Sequence, residues 1–149
     1  MIETSASIHI ERPTDEVFGF LSDLGNAARW QGDGMRTELL TEGPLGVGTR
    51  FREDFRFGGL SVGAVCELTE VAAGRRLAYR STSGRIMRFE GSFGFEPESG
   101  GTKLTYAART WLRGPLRWLE PFMRGEAQRE ARTELERIKR AVESEPADT

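Results

Sequence analysis

Strand-like patterns follow one another through the middle of the chain without a helix between them. Apolar and polar residues alternate there with a period of two, and glycine-rich or polar turns bound each segment. The predicted strands lie near 35–42, 48–57, 60–71, 75–82, 86–96 and 102–111. Because connections this short join antiparallel neighbours, these segments predict one antiparallel meander.

A further strand and two short helices precede the meander. Residues 3–11 alternate as a half-buried strand does, which places His9 on the face turned away from the core. Pro13 then opens a short helix, with Asp15 and Glu16 near the positive end of its dipole. A second helical turn carries Trp30. The chain is therefore predicted to begin with a strand, a helix and a second short helix.

After Pro115 the apolar period changes from two to 3.6, which predicts a helix over about 115–143. Such a helix is roughly 40 Å long, enough to cross the whole sheet. Its apolar stripe consists of Leu119, Met123, Ala127, Ala131, Leu135, Ile138 and Val142. The stripe narrows at Ala127 and Ala131, so the helix either approaches the sheet closely or leaves space beneath its middle.

The length of 149 residues predicts a single domain, residues 1–149, with about 144–149 as a frayed tail. The composition, 38% hydrophobic and 30% charged, is typical of a globular protein. No apolar run approaches the roughly 20 residues that span a bilayer. The first ten residues lack the basic start and apolar segment of a secretory signal, so we expect a cytoplasmic location.

Several classes of function are disfavoured by what the sequence lacks. A net charge of -2 gives no general attraction to phosphate backbones, so we predict no nucleic-acid partner. Cys66 and His9 are the only residues of their types, too few for a disulfide or a closed zinc site. No phosphate-binding loop, dinucleotide fingerprint or calcium loop is present. We predict no cofactor and no metal.

One acidic residue interrupts an aromatic strand face. In FREDFRFGG, residues 51–59, the strand period places four residues on one face: Phe51, Glu53, Phe55 and Phe57. A buried carboxyl there would have a raised pKa and could serve as a general acid or base, or anchor a ligand hydroxyl. The alternative is that Glu53 lies at a wet rim or in a salt bridge.

The order of elements resembles that of the START-like (SRPBCC) superfamily, and within it the polyketide cyclase/dehydrase-like branch. The resemblance is carried by IHIERPTDEVFGFLSD at the start, Trp30 after it, GPLGVGTRF in the middle and GPLRWLEPFMRGEAQREARTELERIKRAVES at the end. It implies an α+β helix-grip fold, in which a seven-stranded antiparallel sheet curls around the long C-terminal helix. It also implies a cavity between sheet and helix for a hydrophobic ligand.

Three functions are compatible with this resemblance. The leading prediction is binding of a small hydrophobic molecule, lipid- or polyketide-like, in a cavity of a few hundred cubic ångströms. The first alternative is a polyketide cyclase or dehydratase that uses Glu53 as its acid/base group. The second is an interaction protein of the chaperone-assisting type. The superfamily has no universal catalytic triad, so the resemblance assigns no catalytic residue.

The predicted cavity is lined by the inward faces of the strands and the long helix. Its predicted residues are Trp30, Phe51, Glu53, Phe55, Cys66, Tyr79, Phe89, Phe93, Tyr106, Met123 and Ala127. Cys66 is expected to act as a small buried apolar group, because no histidine activates it. Near the entrance of the long helix, Trp111, Trp118 and Phe122 would form a homodimer interface or meet a lipid surface if exposed.

Overall fold

The computed structural model describes residues 1–31, 35–57 and 59–146 of the chain. Within these residues seven strands form one antiparallel sheet, in the order β1-β7-β6-β5-β4-β3-β2. The strands are β1 (Ile2–Ile10), β2 (Arg36–Leu39), β3 (Arg50–Phe57), β4 (Leu60–Ala72), β5 (Arg76–Ser81), β6 (Met87–Glu98) and β7 (Gly101–Leu112). The predicted meander is confirmed, and β1 pairs with β7 at its far edge.

The helices lie between β1 and β2 and at the end of the chain. After β1 come α1 (Thr14–Ser22), a 3-10 turn (Leu24–Asn26) and α2 (Ala27–Trp30). After β7 come a 3-10 helix (Gly114–Leu119) and α3 (Glu120–Glu143). The sheet curls around α3, which confirms the α+β helix-grip architecture. None of the helices in the described ranges is long and apolar enough to cross a membrane.

The long helix starts later than the sequence pattern predicts. Residues 114–119 form a 3-10 helix, and the α-helix begins only at Glu120. Pro121 explains the difference, because a proline is tolerated in the first turn of an α-helix but not in its interior. A continuous α-helix from residue 115 would need an N–H at position 121 to reach the Arg117 carbonyl. The Glu120 N–H donates to that carbonyl instead.

Apolar packing joins α3 to the concave face of the sheet. Leu135 and Ile138 on α3 are 2% and 0% exposed, and Ile10 on β1 is also 0% exposed. All three belong to one buried cluster that includes residues from the three α-helices and from most strands. The sheet and the C-terminal half of α3 therefore form a solid core.

Polar contacts hold α3 at its first turn. One carboxylate oxygen of Glu120 pairs with the Met1 amino group. The other accepts a hydrogen bond from the Leu112 N–H at 2.9 Å. These hydrogen bonds lower the pKa of Glu120. The first turn of the helix is thereby joined to the start of β1 and the end of β7.

A second set of polar contacts holds the other end of α3. Arg12 donates to the carbonyl oxygens of Glu143 and Glu145, at 2.9 and 3.0 Å. Lys139 donates to the His9 carbonyl at 2.6 Å. Glu145, in the segment predicted to fray, also pairs with Arg29. Residues 147–149 of that segment lie outside the described residues.

We expect Leu135→Ala to lower the free energy of unfolding by about 2 to 5 kcal/mol, because it opens a void in the core beneath α3. Chemical denaturation measures the loss, provided that the slope of unfolding free energy against denaturant concentration is the same for the variant and the wild type. Leu40→Ala is the matched control, since Leu40 is 48% exposed, and should change stability by less than about 0.5 kcal/mol. Equal losses for the two variants would contradict this packing.

Candidate ligand cavity

A cavity of about 130 Å³ lies between the sheet and the middle of α3. Small residues make room on both sides of it. Thr4 on β1 and Ala108 on β7 are register partners and line the cavity from the sheet. Ala127 and Ala131 line the cavity from α3. The cavity therefore exists because short side chains face one another where the helix crosses the sheet.

Aromatic side chains form the walls of the cavity. The rings of Phe55 and Phe89 meet edge to face, with centroids 5.5 Å apart, and Tyr79 lies 6.4 Å from Phe89. Tyr106 packs against Phe93 at 5.1 Å. The hydroxyl oxygens of Tyr79 and Tyr106 are 3.5 Å apart. Such a surface suits an apolar or aromatic ligand.

Gly91 allows Tyr79 to lie across the neighbouring strand. The two residues are register partners on β5 and β6. A Cβ atom at position 91 would stand 2.6 Å from the Tyr79 hydroxyl oxygen and 2.7 Å from the ring carbon that bears it. Any larger residue at this position would therefore push the ring away from Tyr106. The glycine is needed here for close approach.

Two carboxyl groups, Glu53 and Glu134, line the cavity. Glu53 is on the inward face of β3, between Phe51 and Phe55. Glu134 is on α3, three residues after Ala131 and therefore on the same face of the helix. Among the described residues, no hydrogen bond or ion pair engages either carboxyl group. The salt bridge that the sequence analysis considered for Glu53 is therefore not found within the described residues.

Burial dominates the titration of both carboxyl groups. Removal from water raises the pKa of Glu53 from 4.5 to about 7. The same effect, together with the negative charge of Glu53, raises the pKa of Glu134 from 4.5 to about 8. Burial also raises the pKa of both tyrosines, Tyr79 and Tyr106. Near neutral pH both the protonated and the ionised forms of these two carboxyl groups are therefore populated.

The side-chain amide of Gln31 lies beside the cavity. Its amide nitrogen donates to the Thr37 hydroxyl at 2.7 Å. Its amide oxygen is buried and has no hydrogen-bond partner among the described residues. Gln31 lines the same cavity as Glu53 and Glu134. A buried polar atom without a partner costs about 1 to 3 kcal/mol, and a ligand that donates to it would remove that cost.

Charged side chains mark where the cavity reaches the surface. Arg56 on β3 and Glu130 on α3 are exposed and line the cavity. Glu130 pairs with Arg137 at 2.7 Å, and Arg137 also donates to the Trp30 carbonyl at 3.0 Å. We call Arg56 and Glu130 the rim. A molecule longer than the cavity would pass between these two side chains into solvent.

The structure separates the predicted cavity residues into two groups. Those that line the cavity are Glu53, Phe55, Tyr79, Phe89, Tyr106 and Ala127. Those packed in the adjoining core are Trp30, Phe51, Cys66, Phe93 and Met123. Burial, and secondarily the charge of Glu53, raises the pKa of the Cys66 thiol, which suits a buried apolar group. The cavity is also smaller than the few hundred cubic ångströms predicted, because these five side chains fill part of the predicted space.

The sequence pattern missed two polar residues, Glu134 and Gln31. A signal for Glu134 was present, since it lies seven positions after Ala127 and three after Ala131 on the predicted helix. The same spacing that makes the apolar stripe places Glu134 beside it. Gln31 carried no such signal, because it follows α2 in a segment without regular period. Its position became evident only in the folded chain.

Within the described ranges, no group of three or more histidine, cysteine, aspartate or glutamate side chains is arranged to hold a metal ion. The lining supplies the carboxyl groups of Glu53 and Glu134, two tyrosine hydroxyls and the Gln31 amide. These groups can form hydrogen bonds, and the carboxyl groups can also bind and release protons.

The sheet, the helix across it and the cavity between them define a START-like protein of the helix-grip class. The model of one family, described as polyketide cyclase/dehydrase and lipid transport, matches residues 1–143. The chain belongs to this family. A search of curated proteins found no match.

Solved structures with the same fold come from several bacteria. The protein TTHA0849 from Thermus thermophilus superposes with a TM-score of 0.82 at 23% identity, covering 95% of this chain and 97% of that one. A START superfamily protein from Mycobacterium smegmatis gives 0.79 at 15% identity, covering 95% and 97%. The ZhuI aromatase/cyclase from Streptomyces sp. R1128 gives 0.75 at 19% identity, covering 95% and 93%. At these identities the likeness shows the fold alone.

We expect the free energy of unfolding to decrease as pH rises from about 5 to 8.5. Glu53 and Glu134 bind protons more tightly in the folded chain than in the unfolded chain, where their pKa is near 4.5. Their contribution is therefore fully present below pH 4.5 and is lost as pH passes the folded values of about 7 and 8. The loss should be on the order of several kcal/mol for the two groups together, because each tenfold difference in proton affinity corresponds to about 1.4 kcal/mol.

Denaturation curves across this pH range measure the effect. Glu53→Gln and Glu134→Gln should each flatten the dependence and raise stability at pH 8.5, since glutamine carries no charge to desolvate. Glu136→Gln on the exposed face of α3 is the control. If the double variant shows the same dependence of unfolding free energy on pH as the wild type, then other groups are responsible for that dependence.

Proposed function

We propose that the chain binds a small, largely hydrophobic molecule, lipid- or polyketide-like, in the cavity between the sheet and α3. One observation carries the proposal: an aromatic cavity contains polar groups that have no partner among the described residues. Buried polar groups normally have hydrogen-bond partners, and exceptions concentrate at functional sites. A bound molecule would supply the partners and fill the void.

The size of the cavity limits how much of a ligand it holds. An engineered apolar cavity of about 150 Å³ accommodates benzene, so a cavity of about 130 Å³ takes one ring or one short branch. The remainder of a larger molecule would extend past Arg56 and Glu130 at the rim. The family description covers both polyketide cyclisation or dehydration and lipid transport, and both involve molecules of this kind.

Native mass spectrometry of the freshly purified chain tests the proposal. We expect a small molecule retained by the folded chain and absent under denaturing conditions. Ala127→Leu should abolish retention, because it adds three carbons inside the cavity. Ala28→Leu, at an exposed position on α2, should leave retention unchanged. Equal retention by both variants, or no adduct in any preparation, would contradict binding in this cavity and favour an interaction protein that acts through its surface.

The homodimer remains a prediction. The same native mass spectra test it, because they give the mass of the intact protein as a monomer or a dimer. Trp118 and Phe122 are 73% and 83% exposed, which is the surface that such an interface requires. Trp111 is instead covered by Arg88, whose guanidinium lies 4.4 Å from the indole ring. A monomer mass at micromolar concentration would rule out a stable dimer.

An enzymatic function of the cyclase or dehydratase type is the second candidate, and the titration of Glu53 favours it. A carboxyl group with a pKa of about 7 can both accept and donate a proton near neutral pH, as general acid/base catalysis requires. Tyr79 and Tyr106 would hold a substrate oxygen near it. The structure of the ZhuI aromatase/cyclase has the same fold, which supports testing this reaction class.

If the chain is such an enzyme, Glu53→Gln should lower kcat by at least about 100-fold on a polyketide-like substrate. The amide keeps the size of the carboxyl group and loses its proton exchange. Glu136→Gln, the same substitution on the exposed face of α3, is the control and should retain the activity. An unchanged rate in Glu53→Gln would remove this residue from the mechanism.

A further inference from the structure

The ionisable groups that face the cavity are mostly acidic. The lining includes Glu53 and Arg56 from β3, Tyr79 from β5, Glu90 from β6, Tyr106 from β7, and Glu130 and Glu134 from α3. Two further ionisable groups interact with the carboxyl groups of the lining. Besides burial, the charge of Glu53 raises the pKa of Cys66 on β4, and the charge of Arg137 on α3 lowers that of Glu134 against the larger effect of burial. Because Glu90 meets Arg109 on the outer side of the sheet, three carboxyl groups and one guanidinium group remain in the lining.

The cations near the cavity are engaged elsewhere or exposed. Arg137 binds the Glu130 carboxylate and the Trp30 carbonyl. Arg56 is exposed at the rim. On the outer side of the sheet, Glu90 meets Arg109 at 3.7 Å. Within the described residues, Glu53 and Glu134 consequently have no cation as an ion-pair partner, although the charges of Glu53 and Arg137 act on Glu134.

The unpaired polar groups of the cavity share one property, the ability to accept hydrogen bonds. They are the carboxyl groups of Glu53 and Glu134 and the amide oxygen of Gln31. An anionic ligand would meet like charge wherever these carboxyl groups are ionised and would hold them in their protonated form. A neutral hydroxyl carries one proton and satisfies one of the three. An ammonium group carries three N–H donors and the opposite charge.

We propose that the cavity selects a hydrophobic molecule bearing a protonated amine, whose ammonium group donates to Glu53, Glu134 and the Gln31 amide oxygen. This inference rests on the proposed binding function and specifies its ligand class. The walls suit the same group, because the faces of phenyl and phenol rings attract cations. Phe55, Phe89 and Tyr79 line the same cavity as Glu53 and Glu134.

Binding of such a cation must displace protons. Burial keeps Glu53 and Glu134 partly protonated near neutral pH. An ammonium group favours the ionised carboxylates and lowers the pKa of both, so protons leave as the ligand binds. The affinity for an amine should therefore rise from pH 6 to pH 8.5, while the ligand itself remains protonated. A neutral ligand of the same shape displaces no protons by this route.

Isothermal titration calorimetry with three matched probes tests the inference on the full chain. The probes are 2-phenylethylamine, 2-phenylethanol and phenylacetate, which share a ring and differ in charge. At pH 7.5 we expect the amine to bind at least tenfold more tightly than the alcohol. Titration in phosphate and in Tris, whose ionisation enthalpies differ, should show proton release with the amine and none with the alcohol.

Variants assign the effect to the two carboxyl groups. Glu53→Gln and Glu134→Gln should each weaken amine binding at least tenfold and diminish proton release, while binding of the alcohol changes little. Glu136→Gln, on the exposed side of α3, should behave as wild type. Thermal unfolding of each variant at pH 5 verifies that it is folded before titration.

Two results would overturn the inference and leave the proposed function standing. One is equal or tighter binding of the alcohol or of phenylacetate. The other is amine binding without proton release and without sensitivity to either variant. Failure of all three probes to bind would also reject the amine cavity, and the retained mass seen by native mass spectrometry then decides independently whether the proposed binding function holds.

Discussion

The placement of α3 across the curled sheet is the constraint on which the rest of the structure depends. Leu135 and Ile138 pack it firmly onto the sheet in its C-terminal half. Glu120 at one end and Lys139 near the other tie it to the neighbouring strands. With both ends held, the middle of the helix cannot collapse onto the short side chains beneath it. The cavity is a consequence of this arrangement.

The same arrangement explains how two acidic side chains remain in an apolar interior. A desolvated carboxyl group is unfavourable when ionised, and Glu53 and Glu134 respond by holding protons up to pH values near 7 and 8. Replacing them with apolar residues would remove the proton exchange and the unpaired acceptors together. Their position opposes stability at alkaline pH, and under the proposed function the same groups would contact a ligand, a common relation between function and stability.

Much of the fold was predictable because its signals are local. Alternation along each strand and the long apolar stripe of the last helix predicted the sheet, its antiparallel order and the helix that crosses it. Glu53 stood out for the same reason, as an acid in a row of phenylalanines. The start of α3 was misplaced because Pro115 opens the 3-10 helix, and the sequence pattern after it does not distinguish that helix from an α-helix. The position of Pro121 determines where the α-helix begins, whereas the spacing of the apolar residues does not indicate it.

The sequence by itself determined which residues face inward and that one inward face is aromatic with an acid in it. Only the tertiary structure decided that Glu134 approaches Glu53, that Gln31 adds its amide oxygen, and that Trp30 and Phe93 fill the core beside the cavity. These facts depend on how helix and sheet cross. Distances between residues about 80 positions apart follow from packing in three dimensions, whereas periodicity reports only on neighbours along the chain.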